Sequence, residues 1–144
     1  MSGVEKTRVH PETGGALVRG VRTVTLTFRS QSETVELPGW YPVDDPTADQ
    51  GIHEAKDMQV SDRAINTMKA REAGVMTPGQ VRSARKKLRL SQRDAGRLIG
   101  GGPNAFQKYE SGDVVLSKAA DTALRLLSNN PKRLNELLGE QQMA

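Results

Sequence analysis

The chain has 144 residues, no cysteine, only 3% aromatic side chains and a formal net charge of +4. That length suits one ordinary domain or two small ones, and so few aromatic rings favour two small cores over one large one. The missing thiols exclude disulfides and thiolate metal sites; with no long apolar run and no charged-then-apolar leader, a soluble, cytoplasmic protein without membrane contact is expected.

A polar, glycine-containing lead runs to Gly15. From Leu17 to Phe28, Val24, Leu26 and Phe28 alternate with Thr23, Thr25, Thr27 and Arg29, the period of a half-buried strand. Ser30 to Glu33 reads as a hairpin turn, and Thr34 to Leu37 as the returning strand of a small antiparallel sheet. Pro38-Gly39 is expected to break that strand, Trp40 and Tyr41 to supply core bulk, and Pro42 to Pro46 to form an acidic loop. Leu17, Val24, Leu26, Phe28, Val35, Leu37, Trp40 and Tyr41 make up the expected core, with His10 and His53 at the surface.

Ile52, Ala55, Met58, Ile65 and Met68 then recur among charged residues, so a connecting helix with a thin apolar stripe is expected from about Thr47 to Ala73, stopped by Gly74. Val75-Met76-Thr77 is the expected boundary, giving domains 1–76 and 77–144. Charge divides there too, with nine basic against eleven acidic residues up to Met76 and twelve against six beyond it.

Thr77-Pro78, a cap followed by a favoured first helical residue, starts a helix to Leu88. Val81, Ala84 and Leu88 line its inner face, leaving Arg82, Arg85, Lys86 and Lys87 outside with Arg89 just beyond. Next, Ser91 caps a helix from Gln92 and Asp94 sits near its positive end. Ala95, Leu98 and Ile99 give this helix an apolar face, Gly96 admits a close neighbour, and Gly100 to Gly102 supply a left-handed turn. A second helix is expected from Pro103 to Ser111, ended by Gly112. Ala105, Phe106 and Tyr109 turn inward, whereas Asn104, Gln107 and Lys108 face out with amide and amine groups of the kind that read base edges. Ser117 caps a further helix carrying Ala120, Ala123, Leu124 and Leu127, and Asn130-Pro131 opens a last one with Leu134, Leu137 and Leu138. These leucines exceed the needs of one small core, and a two-fold dimer contact through them is expected.

Ser91-Gln92, Gly96, Gly100 and Tyr109-Glu110-Ser111-Gly112 resemble, at this spacing, the helix-turn-helix of the phage-repressor-like (XRE, Cro/CI) family. Gly100 to Phe106 with Lys108-Tyr109-Glu110, following Arg85-Lys86-Lys87-Leu88, is similar to the carboxyl-terminal domain of MqsA-type antitoxins of bacterial toxin–antitoxin systems. The resemblance covers about Thr77 to Leu138 and includes the leucine-rich tail after Asn129-Asn130-Pro131. It implies an α+β protein: a small antiparallel β module with a connecting helix, then an all-α five-helix XRE-type domain. It further implies that residues at the places of Asn104 and Lys108 read bases. In that family the β module normally carries two Cys-x-x-Cys pairs holding zinc. Their places here hold His10-Pro11-Glu12-Thr13 and Pro42-Val43-Asp44-Asp45, so neither metal nor cofactor is expected.

The expected DNA-contacting residues are Gln92, Arg93, Asn104, Gln107 and Lys108, with Arg82, Arg85, Lys86 and Arg89 on phosphates. No Gly-Lys-Ser/Thr follows the triple glycine, and neither a His-Glu-x-x-His nor a cysteine nucleophile occurs, so an enzyme is not expected. The sequence reading is an antitoxin that binds a ribonuclease-like toxin with its amino-terminal half and its own operator DNA with the other half, as a homodimer. A stand-alone regulator with an amino-terminal sensing module is the alternative.

Overall fold

The computed structural model describes residues 7–44 and 50–143, with side chains to Gly139. An antiparallel sheet of β1 (Thr7–Val9), β2 (Ala16–Phe28) and β3 (Gln31–Pro42), in that order, is followed by six helices. These are α1 (Ala55–Ala73), α2 (Pro78–Lys87), α3 (Gln92–Ile99), α4 (Ala105–Ser111), α5 (Lys118–Asn129) and α6 (Leu134–Met143), with a short 3-10 turn at Pro131–Arg133 before the last. The fold is α+β, and its five helices after Thr77 match the expected helical domain. No described helix is long and apolar enough to cross a membrane. Contacts divide the chain into two compact units, Met1–Ile65 and Asn66–Ala144. The border falls inside α1, because Ala70 and Val75 already belong to the core of the second unit.

In the first unit the alternating pattern becomes a long two-stranded ribbon in which Val24 pairs with Val35 and Phe28 with Gln31. The turn is only Arg29-Ser30, with Arg29 at φ 54°, shorter than the expected Ser30–Glu33. β3 also runs through Pro38-Gly39 instead of breaking there. The Trp40 N–H points away from β2, donating to the Ile52 carbonyl at 2.8 Å; two residues earlier, Pro38 faces the same way and costs the β2 ladder no hydrogen bond. Ile52 is held in this bridge, and α1 begins only at Ala55. The first residues expected in that helix, Thr47 to Asp49, lie outside the described residues.

The core of this unit gathers at one end of the ribbon. Leu17, Leu37, Trp40 and Tyr41 are buried, whereas Val24, Leu26, Phe28 and Val35, expected in the core, are half-buried. β1 reaches β2 only across Ala16 to Val18, so among the described residues no third strand packs beside the outer ribbon. Tyr41 donates its hydroxyl to the Leu37 carbonyl at 2.6 Å and meets His53 edge-on at 5.6 Å. The two histidines are not simple surface residues. His10 is buried, and its Nδ1 accepts the backbone N–H groups of Glu12 and Thr13 at 3.0 and 3.3 Å. His53 is half-buried, with Nδ1 2.9 Å from the Pro38 carbonyl oxygen.

β2 and the first turn of α1 are tied together by a fork of two hydrogen bonds from the Arg19 guanidinium to the buried Asp57 carboxylate. Asp57 also accepts the Glu54 N–H at 3.0 Å. Chiefly through Arg19, with burial opposing, the Asp57 pKa is lowered from 3.8 to about 2. The folded value lies below the unfolded one, so the contribution of this carboxylate, on the order of 2 kcal/mol, is complete above about pH 5 and is lost as pH falls through about 4 to about 2. Calorimetry across that range is expected to show this loss in the parent but not in Asp57→Asn. At neutral pH that variant should be less stable by about 2 kcal/mol, the contribution of the ionised carboxylate.

Candidate nucleic-acid interface

In the second unit, Val81, Ala84, Leu88, Ala95, Phe106, Leu116, Ala120, Leu124, Leu127 and Leu134 form one core with Ala70 and Val75. The chain enters α2 through a reciprocal cap, in which Gln80 N–H donates to the Thr77 hydroxyl and Thr77 N–H to the Gln80 side chain. Just before it, the Met76 N–H donates at 2.8 Å to Asp121, a fully buried carboxylate in the first turn of α5 that Arg125 also engages at 2.9 Å.

α3 starts at the Ser91 cap, its hydroxyl accepting the Asp94 N–H at 3.0 Å. It ends in Gly100, Gly101 and Gly102, at φ 133°, 93° and 88°, values that a side chain would strain. This turn brings the backbone back onto α3. The Gly102 N–H donates to the Gly96 carbonyl at 3.2 Å, and a Cβ on Gly96 would lie 1.8 Å from the Gly102 oxygen. Gly96 is therefore fixed by contact rather than by its φ.

The second helix of the pair is shorter than expected. Pro103 is not its first residue; Asn104 is the flanking residue at φ −104° and ψ −3°, and α4 follows from Ala105. The Asn104 side chain makes no capping hydrogen bond, which leaves its amide unspent at the exposed end of α4. Phe106 is fully buried and meets Tyr109 edge-to-face at 5.4 Å, while Asn104, Gln107 and Lys108 are exposed. Gln92, Arg93, Asn104 and Gln107 share one surface depression, and Asn104 and Lys108 share another with Tyr109. Two of the three expected base-reading residues, Asn104 and Gln107, thus border one hollow together with Gln92 and Arg93. Arg82, Lys86 and Arg89 are exposed on and just after α2.

Arg85 is different, and its placement on the outer face is corrected. Its Nε and Nη2 donate to the two Glu110 oxygens at 2.6 and 2.8 Å, and Nη1 donates to the Leu90 carbonyl at 2.9 Å. Only 12% of its side chain is exposed and 5% of that of Glu110. The hydrogen bonds to Glu110 raise the Arg85 pKa further, and with each of its three nitrogens already donating within the unit and little of the side chain exposed, the guanidinium is turned to Glu110 and Leu90 rather than outward toward a phosphate. Gln92 adds a 3.2 Å hydrogen bond to the same carboxylate, so α2, the start of α3 and the end of α4 meet at Glu110. Sequence reasoning saw Glu110 only as part of the Tyr-Glu-x-Gly end, whose spacing was its one signal. Asn66 was missed altogether: its amide donates at 2.8 Å to the carbonyl of Gly112, the left-handed residue that stops α4. That contact spans 46 positions and leaves no local pattern.

Residues 10–138 match the family model described as the antitoxin component of the bacterial toxin–antitoxin system, MqsA. This chain belongs to that family. It is also 31% identical over 128 residues to Antitoxin MqsA of Escherichia coli (strain K12), a match covering 85% of this chain and 93% of that protein. The similarity to MqsA therefore takes in the sheet as well as the helices. The residues of this member do not fit the zinc associated with the MqsA β module. Cysteine is absent, His10 Nδ1 is already taken by two backbone N–H groups, and no cluster of three metal-ligating side chains occurs among the described residues. The His10 imidazole closes its own turn instead.

Three substitutions separate the contacts that shape this surface. Gly96→Ala must push the Gly102 backbone away and is expected to cost about 3 kcal/mol or more in thermal or urea unfolding. Gly100→Ala has open space around its Cβ position, so its cost, about 1–3 kcal/mol, comes from the backbone alone, φ 133° and ψ 166° being a region nearly confined to glycine. Arg85→Ala strands the Glu110 carboxylate and is expected to cost roughly 3 kcal/mol in the same assay.

Proposed function

We propose that this antitoxin binds operator DNA through α3, the glycine turn and α4, used as a helix-turn-helix of the XRE type. On this reading it represses its own operon, and the amino-terminal unit neutralises a cognate toxin. The observation that carries the DNA reading is the exposed row Asn104, Gln107 and Lys108 on a short helix whose other side is pinned by Phe106 and Glu110. A rigid helix offering free amides and an amine suits entry into the major groove, where asparagine and glutamine pair with adenine. Arg93, Arg82, Lys86 and Arg89 would hold phosphates around it, and the excess of basic residues beyond Met76 favours that contact. Leu126, 64% exposed on α5, and Leu138 on α6 offer apolar surface for a two-fold partner, which would present two copies of α4 to successive turns of the duplex.

For the toxin, support comes from the outer β2–β3 ribbon. Among the described residues no further strand pairs with the outer ribbon, and one of its faces is apolar and half-buried; such a ribbon is marginally stable alone. A ribonuclease-like toxin, basic so as to hold RNA, would complete it by strand addition or by covering the face. The proposed division of labour assigns residues 1–76 to the toxin and 77–144 to DNA, in the cytoplasm and without catalysis.

Asn104→Ala should weaken specific binding by about 1–3 kcal/mol per half-site in gel-shift titrations and relax discrimination at one base position. Lys86→Ala should weaken all sequences alike and reduce the salt slope by about one. Equal binding of Asn104→Ala and the parent would remove α4 from base reading. The antitoxin arm is tested by co-expressing the chain with the product of its neighbouring gene: restored growth and co-purification are expected. Without both, the stand-alone regulator would take its place.

A further inference from the structure

The face of the outer ribbon that carries Val24, Leu26, Phe28 and Val35 also carries Glu33, directly across from Leu26. Within the first unit the two strands pack extensively only on each other and, near Leu17, on β1. Glu33 Oε2 is buried there with no hydrogen-bond partner. On the opposite face of the same strand, the Glu36 carboxylate accepts the Thr23 hydroxyl. Two carboxylates of one strand are thus treated differently, and the half-buried one has one oxygen left unpaired in the apolar stripe. An acceptor withdrawn from water and left unpaired destabilises the free chain.

We propose that Glu33 is the specificity-determining residue of this face. It receives a lysine or arginine of the toxin while apolar side chains of that toxin cover Val24, Leu26 and Val35. The inference rests on the toxin-binding reading above. A cation paired there would be shielded from water by the surrounding apolar contacts, where a charge-assisted hydrogen bond is strong. A partner presenting an apolar or acidic group instead would bury the carboxylate uncompensated and be rejected. A second copy of this chain fits less well. Arg22, the cation on the same face, is already stacked on Tyr41 at 4.8 Å and donates to the Val21 carbonyl.

The test uses the full chain, the product of the neighbouring gene as the toxin, and association and dissociation rates measured on a surface. Glu33→Gln is expected to speed dissociation about tenfold or more while association changes little, the signature of a lost buried pair rather than of steering. Glu33→Leu should dissociate at least as fast, yet melt no lower than the parent, since it removes an unpaired carboxylate from an apolar face. Glu12→Gln, exposed and outside the ribbon, should alter neither rate. A parent that binds and a Glu33→Gln variant that dissociates no faster would overturn the role of Glu33 and leave the toxin reading standing. A parent that does not bind would remove both. An effect confined to association and erased by salt would reduce Glu33 to a steering charge and overturn the buried pair, as would loss of self-association in Glu33→Gln without change in toxin binding, which would assign the face to a second copy.

Discussion

The helical unit depends on one carboxylate. Glu110 sits near the end of α4, but its three hydrogen bonds go to Arg85 of α2 and Gln92 of α3, so three helices share a single charged anchor. Arg85 also donates from its third nitrogen to the Leu90 carbonyl, in the bend between α2 and α3. A bidentate guanidinium–carboxylate pair fixes direction as well as distance, which an apolar core of small residues does less well. With Phe106 in the core and Gly96 against Gly102, the pair sets where α4 lies and which of its sides meets solvent. The seven residues of α4 are too few to form a stable helix alone; tertiary contacts hold it.

The amino-terminal unit solves a similar problem with different groups. A module of this size is short of core, and metal or disulfide staples are the usual remedy. Here neither is supplied by cysteine. The work falls to the Arg19–Asp57 fork, to two guanidiniums lying over the Trp40 ring at 5.1 and 5.7 Å, and to the His10 turn. All three draw on polar groups that composition alone marks as surface.

Legibility in the sequence followed the range of the contact. Caps at Thr77, Ser91 and Ser117 and the glycine turn were readable because each is settled within a few residues. The strand alternation was readable for the same reason, though it overstated burial: period two says which side chains share a face, not whether anything covers that face. The passage of β3 through Pro38-Gly39 was hidden, because it depends on Pro38 facing away from β2. Arg85 was misplaced because it adjoins Ala84 at the edge of the buried stripe of α2, and only Glu110, 25 positions on, decides that it turns inward. The exposed set Asn104, Gln107 and Lys108 was legible, since a helix with Phe106 and Tyr109 inside can present little else.

Trp40 is the one tryptophan of the chain, and it is buried in the amino-terminal unit. Most of the helix lies in the other unit. Tryptophan emission and far-ultraviolet ellipticity therefore report on different halves of one molecule without any label. If the two melt apart, the probes will give two transitions; if they coincide, the helix that crosses the border couples them.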